Sequence, residues 1–426
     1  MKVTLCTVRL RMLSPGGVGG TESSENSRNV LRLHRDPWGR PHLPGTTVAG
    51  NLRAHCRRTD TRLNDVFGSA GDGDTRRGSE IQVLGTVLRG SAETGMDTVI
   101  HTRTAIDRYR GAARNTSLHQ VEQLPEGTEF DVVLRWNDPP SEQRGALLEA
   151  IRTWQPRFGR GVTYGAGRCV VVGLGVVDYD LTTRDGLHAW LQHTETMPYP
   201  EPEPIDAASS APTWVMDVDL EIVDGLHIGT GVASEAEGHD GGTIARVKRD
   251  PHGQPVVPGS SLKGVLRSRA EYICRVVGAP LCGDTAEENE RGEPCRPCRI
   301  FGYTAGPDAA RRAAIAVHDA PIMDAVVEVR NHVAIDRFTG GARDQLLYRT
   351  ELVVAGRFRI RVEELQRLDD TDRLLLHAVV ADLHDGLIGI GARTTAGQGT
   401  VRVADSAWQR PDLASLASRL GGEEAA

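Results

Sequence analysis

No apolar stretch in this chain of 426 residues approaches the roughly 20 consecutive residues that span a bilayer, which argues against a membrane protein. The opening MKVTLCTVRLRML alternates apolar and polar residues and lacks the unbroken apolar core of a secretory leader, so a strand and a cytoplasmic location are expected. An excess of positive charge is also missing. Against 50 Lys and Arg stand 57 Asp and Glu, a net charge of −7, which excludes a uniformly basic nucleic-acid binder. Cysteine is scarce, with seven in all. In a reducing compartment thiol or metal roles are expected before disulfides.

What is present is unevenly placed. From Arg28 to Arg58 seven basic residues face one acid, Asp36, and from Arg246 to Arg269 six face Asp250. Two basic segments on an acidic chain point to localised anion binding. They are also copies of one motif. LHRDPWGRPHLPGTTVAGNLR (Leu33 to Arg53) and VKRDPHGQPVVPGSSLKGVLR (Val247 to Arg267) share RDP-x-G-x-P-x-x-PG, two hydroxyl residues and G-x-LR. Three more matches follow in order: Val66-Phe67-Gly68 with Ile300-Phe301-Gly302, Ala105 to Arg108 with Ala334 to Arg337, and Gly161 to Arg168 with Gly391 to Gln398. Four ordered matches predict two homologous domains, residues 1–196 and 214–410. A Pro- and acid-rich linker (197–213) joins them, and residues 411–426 read as a C-terminal tail.

Each half opens with an alternating strand and passes through the RDP…PG turn into a helix. Thr46-Thr47 and Ser260-Ser261 are expected N-caps of those helices. Alternating strands follow, then a helix and a Gly-rich closing segment. Strands and helices interleave without strict alternation, so the expected class is α+β, an antiparallel sheet with helices on one face.

Each PG turn sets a helix N-terminus beside Arg and Lys, an arrangement suited to phosphate. The expected anion contacts are Arg35, Thr46, Thr47 and Arg53 in the first copy, and Arg249, Ser260, Ser261, Lys263 and Arg267 in the second. Cys295-Arg-Pro-Cys298, with Cys282 upstream, reads as part of a structural zinc site, which needs a fourth ligand. Cys274 is the first choice, with a histidine such as His252 the substitute. Cys6, Cys56 and Cys169 are scattered and read as core or surface thiols.

The order of a Gly-bearing loop, RDP…PGSSLKG-x-LR, C-x-x-C-RIFG and a terminal Gly-rich loop resembles the RAMP superfamily. Within it the chain is most similar to the Cas-seven-type backbone subunit of type III CRISPR effector complexes, in the tandem form of type III-D-like systems. The second half carries the resemblance best; the first lacks C-x-x-C before Phe67-Gly68. The resemblance implies two RRM-like (ferredoxin-like) domains, each with a protruding β-hairpin thumb, here around Val99 to Gln123 and Val329 to Thr350. These would hold Arg108 and Arg337, which are further RNA-contact candidates. It implies CRISPR guide RNA, complementary target RNA, and other RAMP-family and large-subunit proteins as partners.

Some members cut target RNA with a carboxylate in the loop after the first strand. Asp240 is the candidate, with Glu235 and Glu237 as alternatives; a divalent metal such as Mg or Mn would assist. At the matching place the first copy has Asn26, which can neither accept a proton nor carry charge, although Glu22 and Glu25 lie nearby. Rival readings are a non-catalytic RNA-binding scaffold, a stand-alone RNA-processing endoribonuclease, and an α+β metabolic enzyme with phosphate loops.

Overall fold

The first strand, β1 (Lys2–Met12), is buried on both faces along most of its length, as the central strand of a covered sheet must be. The structure, a computed structural model, describes residues 1–20, 30–69, 76–89, 98–105, 115, 117–196, 199–206, 212–235, 243–282, 294–304 and 310–421. It forms two compact units. One comprises Met1–His101, His119–Val162 and Ala166–Ala211; the other comprises Thr102–Leu118, Thr163–Gly165 and Pro212–Ala426. Among the described residues no helix is long and apolar enough to cross a membrane.

After β1 come β2 (Val30–Leu31), α1 (Gly45–Thr59), β3 (Ile81–Arg89), β4 (Val99–Arg103, of which Thr102 and Arg103 are counted with the other unit) and β5 (His119–Gln123). Then come β6 (Glu129–Asn137), α2 (Ser141–Arg152), β7 (Cys169–Asp180), α3 (Arg184–Thr196) and β8 (Glu203–Pro204). The main sheet runs β3-β6-β1-β7-β8, with every neighbour antiparallel. The order β1-α1-β3-β6-α2-β7 in that sheet is the ferredoxin-like βαββαβ arrangement. Val48, Leu52 and Cys56, spaced four apart on α1, turn one stripe inward. With Ala146, Leu147, Ala150 and Ile151 of α2 they join Val8, Leu10, Val132 and Leu134 in one core. Replacing the fully buried Leu52 by Ala at such a site costs about 2–5 kcal/mol. The chain between β3 and β6 forms the first thumb hairpin, β4 and β5, which with β2 makes a separate three-stranded sheet in the order β2-β5-β4.

The second unit repeats the plan with β9 (Trp214–Ile222), β10 (Gly229–Glu235), β11 (Thr243–Val247), β12 (Val256–Val257), α4 (Gly259–Val276) and α5 (Arg296–Phe301). Next come β13 (Tyr303–Thr304), β14 (Ala310–Arg311), β15 (Ile315–Val317), β16 (Ala320–Pro321) and β17 (Met323–Ile335). It closes with β18 (Ala342–Glu364), α6 (Asp370–His384), β19 (Val401–Val403) and α7 (Leu413–Gly421). β9-α4-β15-β18-α6-β19 is again βαββαβ, in the sheet order β19-β9-β18-β15. Leu262, Leu266, Ala270 and Cys274 supply the apolar stripe of α4. The long β18 serves two purposes: its C-terminal half pairs with β9 and its N-terminal half with β17, forming the thumb.

Two segments differ from expectation. Within the Pro-rich stretch 197–213, β8 pairs with β7 as the edge strand of the sheet, Pro204 opposite Gly173. Proline is tolerated there because an edge position needs no donor on its outer side. The stretch 411–426 contains α7, whose Leu416 and Leu420 enter the core of the second unit. Asp412 accepts the Ser415 N–H at its start; an Asp cap and leucines four apart are the helix signal that a tail reading passes over.

Candidate nucleic-acid interface and metal centre

The two RDP motifs fold as the same rigid turn. Asp36 Oδ1 accepts the Trp38 and Arg40 N–H groups at 3.0 and 2.9 Å, and Asp250 Oδ1 accepts those of His252 and Gln254, both at 2.9 Å. Arg35 Nη1 donates to the Gly39 carbonyl at 2.7 Å and Arg249 Nη1 to that of Gly253 at 3.1 Å. Burial opposes ionisation of Asp36, but the Arg40 and Trp38 N–H groups and the Arg40 guanidinium outweigh it, leaving its pKa below the usual value. The aspartates therefore shape the turns, and the arginines are pinned along one edge. At the tips the rings of Trp38 and His252 are exposed.

The expected N-caps are corrected. Pro44 and Pro258 occupy the cap positions, with φ −59° and −64° and extended ψ, so α1 and α4 begin at Gly45 and Gly259. A proline ring matches that geometry, and Thr46-Thr47 and Ser260-Ser261 fall inside the first turn, where they make no side-chain cap. At α4 the first N–H is already taken: Gly259 donates to Asp319 Oδ1 at 2.6 Å. Lys263, one turn on, has its pKa pushed down to about 8 by burial and then by the Arg267 charge.

Arg53 and Arg267, grouped by sequence with the anion contacts, face inward. Arg53 Nη2 donates to the Gly68 carbonyl at 2.9 Å and Arg267 Nη1 to the Gly302 carbonyl at 2.8 Å. Each arginine thus ties its helix to the Phe-Gly turn. Gly68 and Gly302 hold φ of +75° and +79°, and a Cβ would lie 2.4 Å from the Arg77 carbonyl oxygen or 2.7 Å from the Ala313 nitrogen. The shared G-x-LR and FG motifs are two halves of one fastening. The Gly-rich closures also approach the chain's own backbone, with Ala392 N–H donating to the His227 carbonyl at 2.8 Å.

At the tip of the second thumb, Asp336 accepts the Phe338 and Thr339 N–H groups at 2.9 and 3.0 Å. The Asp of the AIDR repeat is thus a turn residue, and it leaves Arg337 and Phe338 exposed beside it. Arg108, Asp240, Glu237, Asn26, Glu22 and Glu25 lie outside the described residues, and of Glu235 only the backbone is described, in β10.

Cys282, Cys295 and Cys298 come together, their sulfur atoms all within 4.8 Å of one another. Cys295 is the N-cap of α5 and Cys298 lies on its first turn, so the C-x-x-C spacing points both thiols one way. The Cys295 N–H donates to Cys282 Sγ at 3.1 Å, and Arg267 Nη2 lies 3.5 Å from Cys298 Sγ. The Cys298 hydrogen bond, the first cause, holds the Cys295 pKa well below the usual thiol value, while the same bond and burial push Cys298 up. Sulfurs around tetrahedral zinc stand about 3.8 Å apart, so small side-chain rotations would close three of the four ligands. Cys274 is not in this group: it sits in the apolar core on α4, 1% exposed, its pKa pushed up to about 12 by burial. His252 lies on the exposed RDP turn. Cys6, Cys56 and Cys169 are buried thiols.

Sequence reasoning missed two glutamates. Glu122 of β5 and Glu351 of β18, 3% and 6% exposed, stand behind the RDP turns. Their separation of 229 residues equals that of the AIDR copies, a signal present in the sequence but not in any short motif.

Comparison with curated proteins returns no match. One family model matches twice, over residues 9–170 and 219–402, each match running from within the first strand to within the last strand of one βαββαβ repeat. A duplicated ferredoxin-like fold, with the same RDP turn and the same arginine–FG fastening in each copy, lies within those two matches, and the chain belongs to the RAMP superfamily.

Proposed function

We propose that this protein is the guide-RNA-binding backbone subunit of a type III CRISPR effector complex, and that the two RDP turns contact RNA phosphates. Membership of the RAMP superfamily supports a CRISPR-associated RNA-binding subunit. The observation that carries the phosphate reading is the repeated turn, with Arg35 and Arg249 fixed along one edge and 38% and 39% exposed. A planar guanidinium held in this way is suited to phosphate oxygens. Target RNA, neighbouring RAMP-family subunits and a large subunit are the partners this role requires.

Binding of labelled single-stranded RNA across a KCl series tests the reading. Single-strand contacts contribute about 0.7 each to the slope of log K against log salt. Arg35→Ala with Arg249→Ala is expected to reduce that slope by about 1.4. Arg53→Ala with Arg267→Ala is expected to keep the slope and to lower stability by about 1–3 kcal/mol per lost bond. An unchanged slope in the first pair rejects the phosphate role.

The reading extends to cleavage of target RNA by the loop containing Asp240, which sits in the sequence between His239 and two glycines. The 2′-hydroxyl would lose its proton to a carboxylate and attack the adjacent phosphorus. The P–O5′ bond then breaks and the departing O5′ takes up a proton from water, leaving a 2′,3′-cyclic phosphate and a 5′-hydroxyl. Asp240→Ala in the assembled complex is expected to slow one cut by at least ~10²-fold while leaving binding within about threefold. Every cut persisting at full rate would leave an RNA-binding scaffold without cleavage.

A further inference from the structure

The two buried glutamates make the same contacts in the two copies. Glu122 Oε2 accepts the Leu33 N–H at 2.9 Å, and Glu351 Oε2 accepts the Val247 N–H at 3.0 Å; Leu33 and Val247 occupy the same place in the repeat. Arg35 Nη2 donates to Glu122 Oε1, and Arg249 Nη2 lies 3.6 Å from Glu351 Oε2. A second arginine completes each group: Arg32 at 4.0 Å from Glu122 and Arg246 at 3.6 Å from Glu351. Burial works against the charge on Glu122, but the Leu33 N–H, the Thr98 hydroxyl and the charges of Arg35 and Arg32 outweigh it and bring its pKa below the usual value.

Here two guanidiniums share one carboxylate, and all four arginines keep between 38% and 46% of their side-chain surface exposed. The carboxylate stands against the inner edge of the guanidiniums, the glycine carbonyl of the turn fixes a second point on Arg35 and Arg249, and the remaining guanidinium surface faces outward. We propose that Glu122 and Glu351 are equivalent positioning residues, each making an arginine pair (Arg32 with Arg35, Arg246 with Arg249) into a pre-oriented clamp for a phosphodiester. The duplication argues for a polyanion. One clamp would satisfy a small phosphate compound, whereas a nucleic-acid strand presents the same group repeatedly. This inference rests on the RNA reading above.

The test uses the full chain and a fluorescein-labelled 30-nucleotide single-stranded RNA. Glu122→Gln with Glu351→Gln keeps the shape and an acceptor for the backbone N–H but removes the charge that holds the arginines. Affinity is expected to fall about 5- to 10-fold, the scale of a lost charge-assisted hydrogen bond. In a background with Arg32, Arg35, Arg246 and Arg249 all changed to Ala the same Gln changes are expected to have little further effect, because the carboxylates act through those arginines. Tighter or unchanged binding by the Gln variant overturns the positioning role while the RNA reading stands. An equal, additive loss in the arginine-less background also overturns it, since that marks a structural role. If the arginine variants alone leave binding unchanged, the RNA reading itself fails. Should the Gln variant not fold, Arg32→Lys with Arg246→Lys, both half-exposed, tests the same clamp. A loss of about threefold is expected from losing the fork geometry, and unchanged binding overturns the proposal.

Discussion

Asp372→Ala is expected to destabilise the second unit by about 2–4 kcal/mol. Asp372 is 2% exposed and takes part in three contacts at once. It accepts Arg296 Nη1 at 2.7 Å and Arg299 Nη2 at 2.9 Å, and with Asp369 it forms the capping box of α6. Alanine removes the inner acceptor of two guanidiniums that are only 25% and 36% exposed, and it opens half of the cap. Both guanidiniums keep Asp369 as a partner, so the cost lies below that of an orphaned buried charge and above the worth of an exposed pair. Asp372→Asn keeps an acceptor and is expected to lose less. Urea unfolding read by two probes, one in each unit, separates the transitions; the first unit is expected to unfold unchanged.

The neighbouring Asp369 adds a pH signature. Burial opposes its ionisation, yet the Asp372 N–H and the Arg296 and Arg299 guanidiniums outweigh this and hold its pKa below the usual value. A carboxyl with a depressed folded pKa stabilises above its unfolded value, near 3.9, and loses that contribution as pH falls through the folded value. The second unit is thus expected to hold this contribution from neutral pH to about 4 and to lose it below.

The two-fold repeat was legible because it is written in short, local patterns. Val48, Leu52 and Cys56 match Leu262, Leu266 and Ala270 at a constant spacing, and such stripes specify helices on a shared core. The RDP turns were legible for the same reason, since Asp and Gly act within five residues. What the arginines do was not. Arg35 and Arg53 stand in one motif, yet one is half-exposed against a glutamate 87 residues away while the other reaches a glycine carbonyl 15 residues away. Residue type and spacing cannot decide between these outcomes; the acceptor that folding brings alongside decides. Glu122 and Glu351 were hidden for the same reason, as isolated acids in strands whose partners arrive from a distant turn. Among the cysteines, Cys274 falls on the inward stripe of α4 and is 1% exposed, outside the group that Cys282, Cys295 and Cys298 form.

That separation sharpens the expectation for the metal. The purified protein is expected to carry about one zinc per chain, held by Cys282, Cys295 and Cys298 with one further ligand. Cys298→Ser is expected to remove it. α5 has six residues, too few to persist unaided; Ile300 and Phe301 anchor it in the core, and its further supports are the cysteine cluster on one side and Arg296 and Arg299 on Asp369 and Asp372 on the other. Metal loss should therefore free α5 from one side only, and the unit keeps its own apolar core. The expected cost is thus a few kcal/mol, well short of the ~10–16 kcal/mol by which zinc folds a peptide that has no core. Because Cys298→Ser and Asp372→Ala release the same short helix, their costs are expected to sum to more than that of the double variant, with a coupling of about 1 kcal/mol or more. Elemental analysis and urea unfolding of the four proteins supply the numbers. Wild-type protein with no zinc, or one whose unfolding is unmoved by a chelator, removes the metal from the account; strict additivity would show instead that the cysteines and the aspartates hold separate parts of the unit.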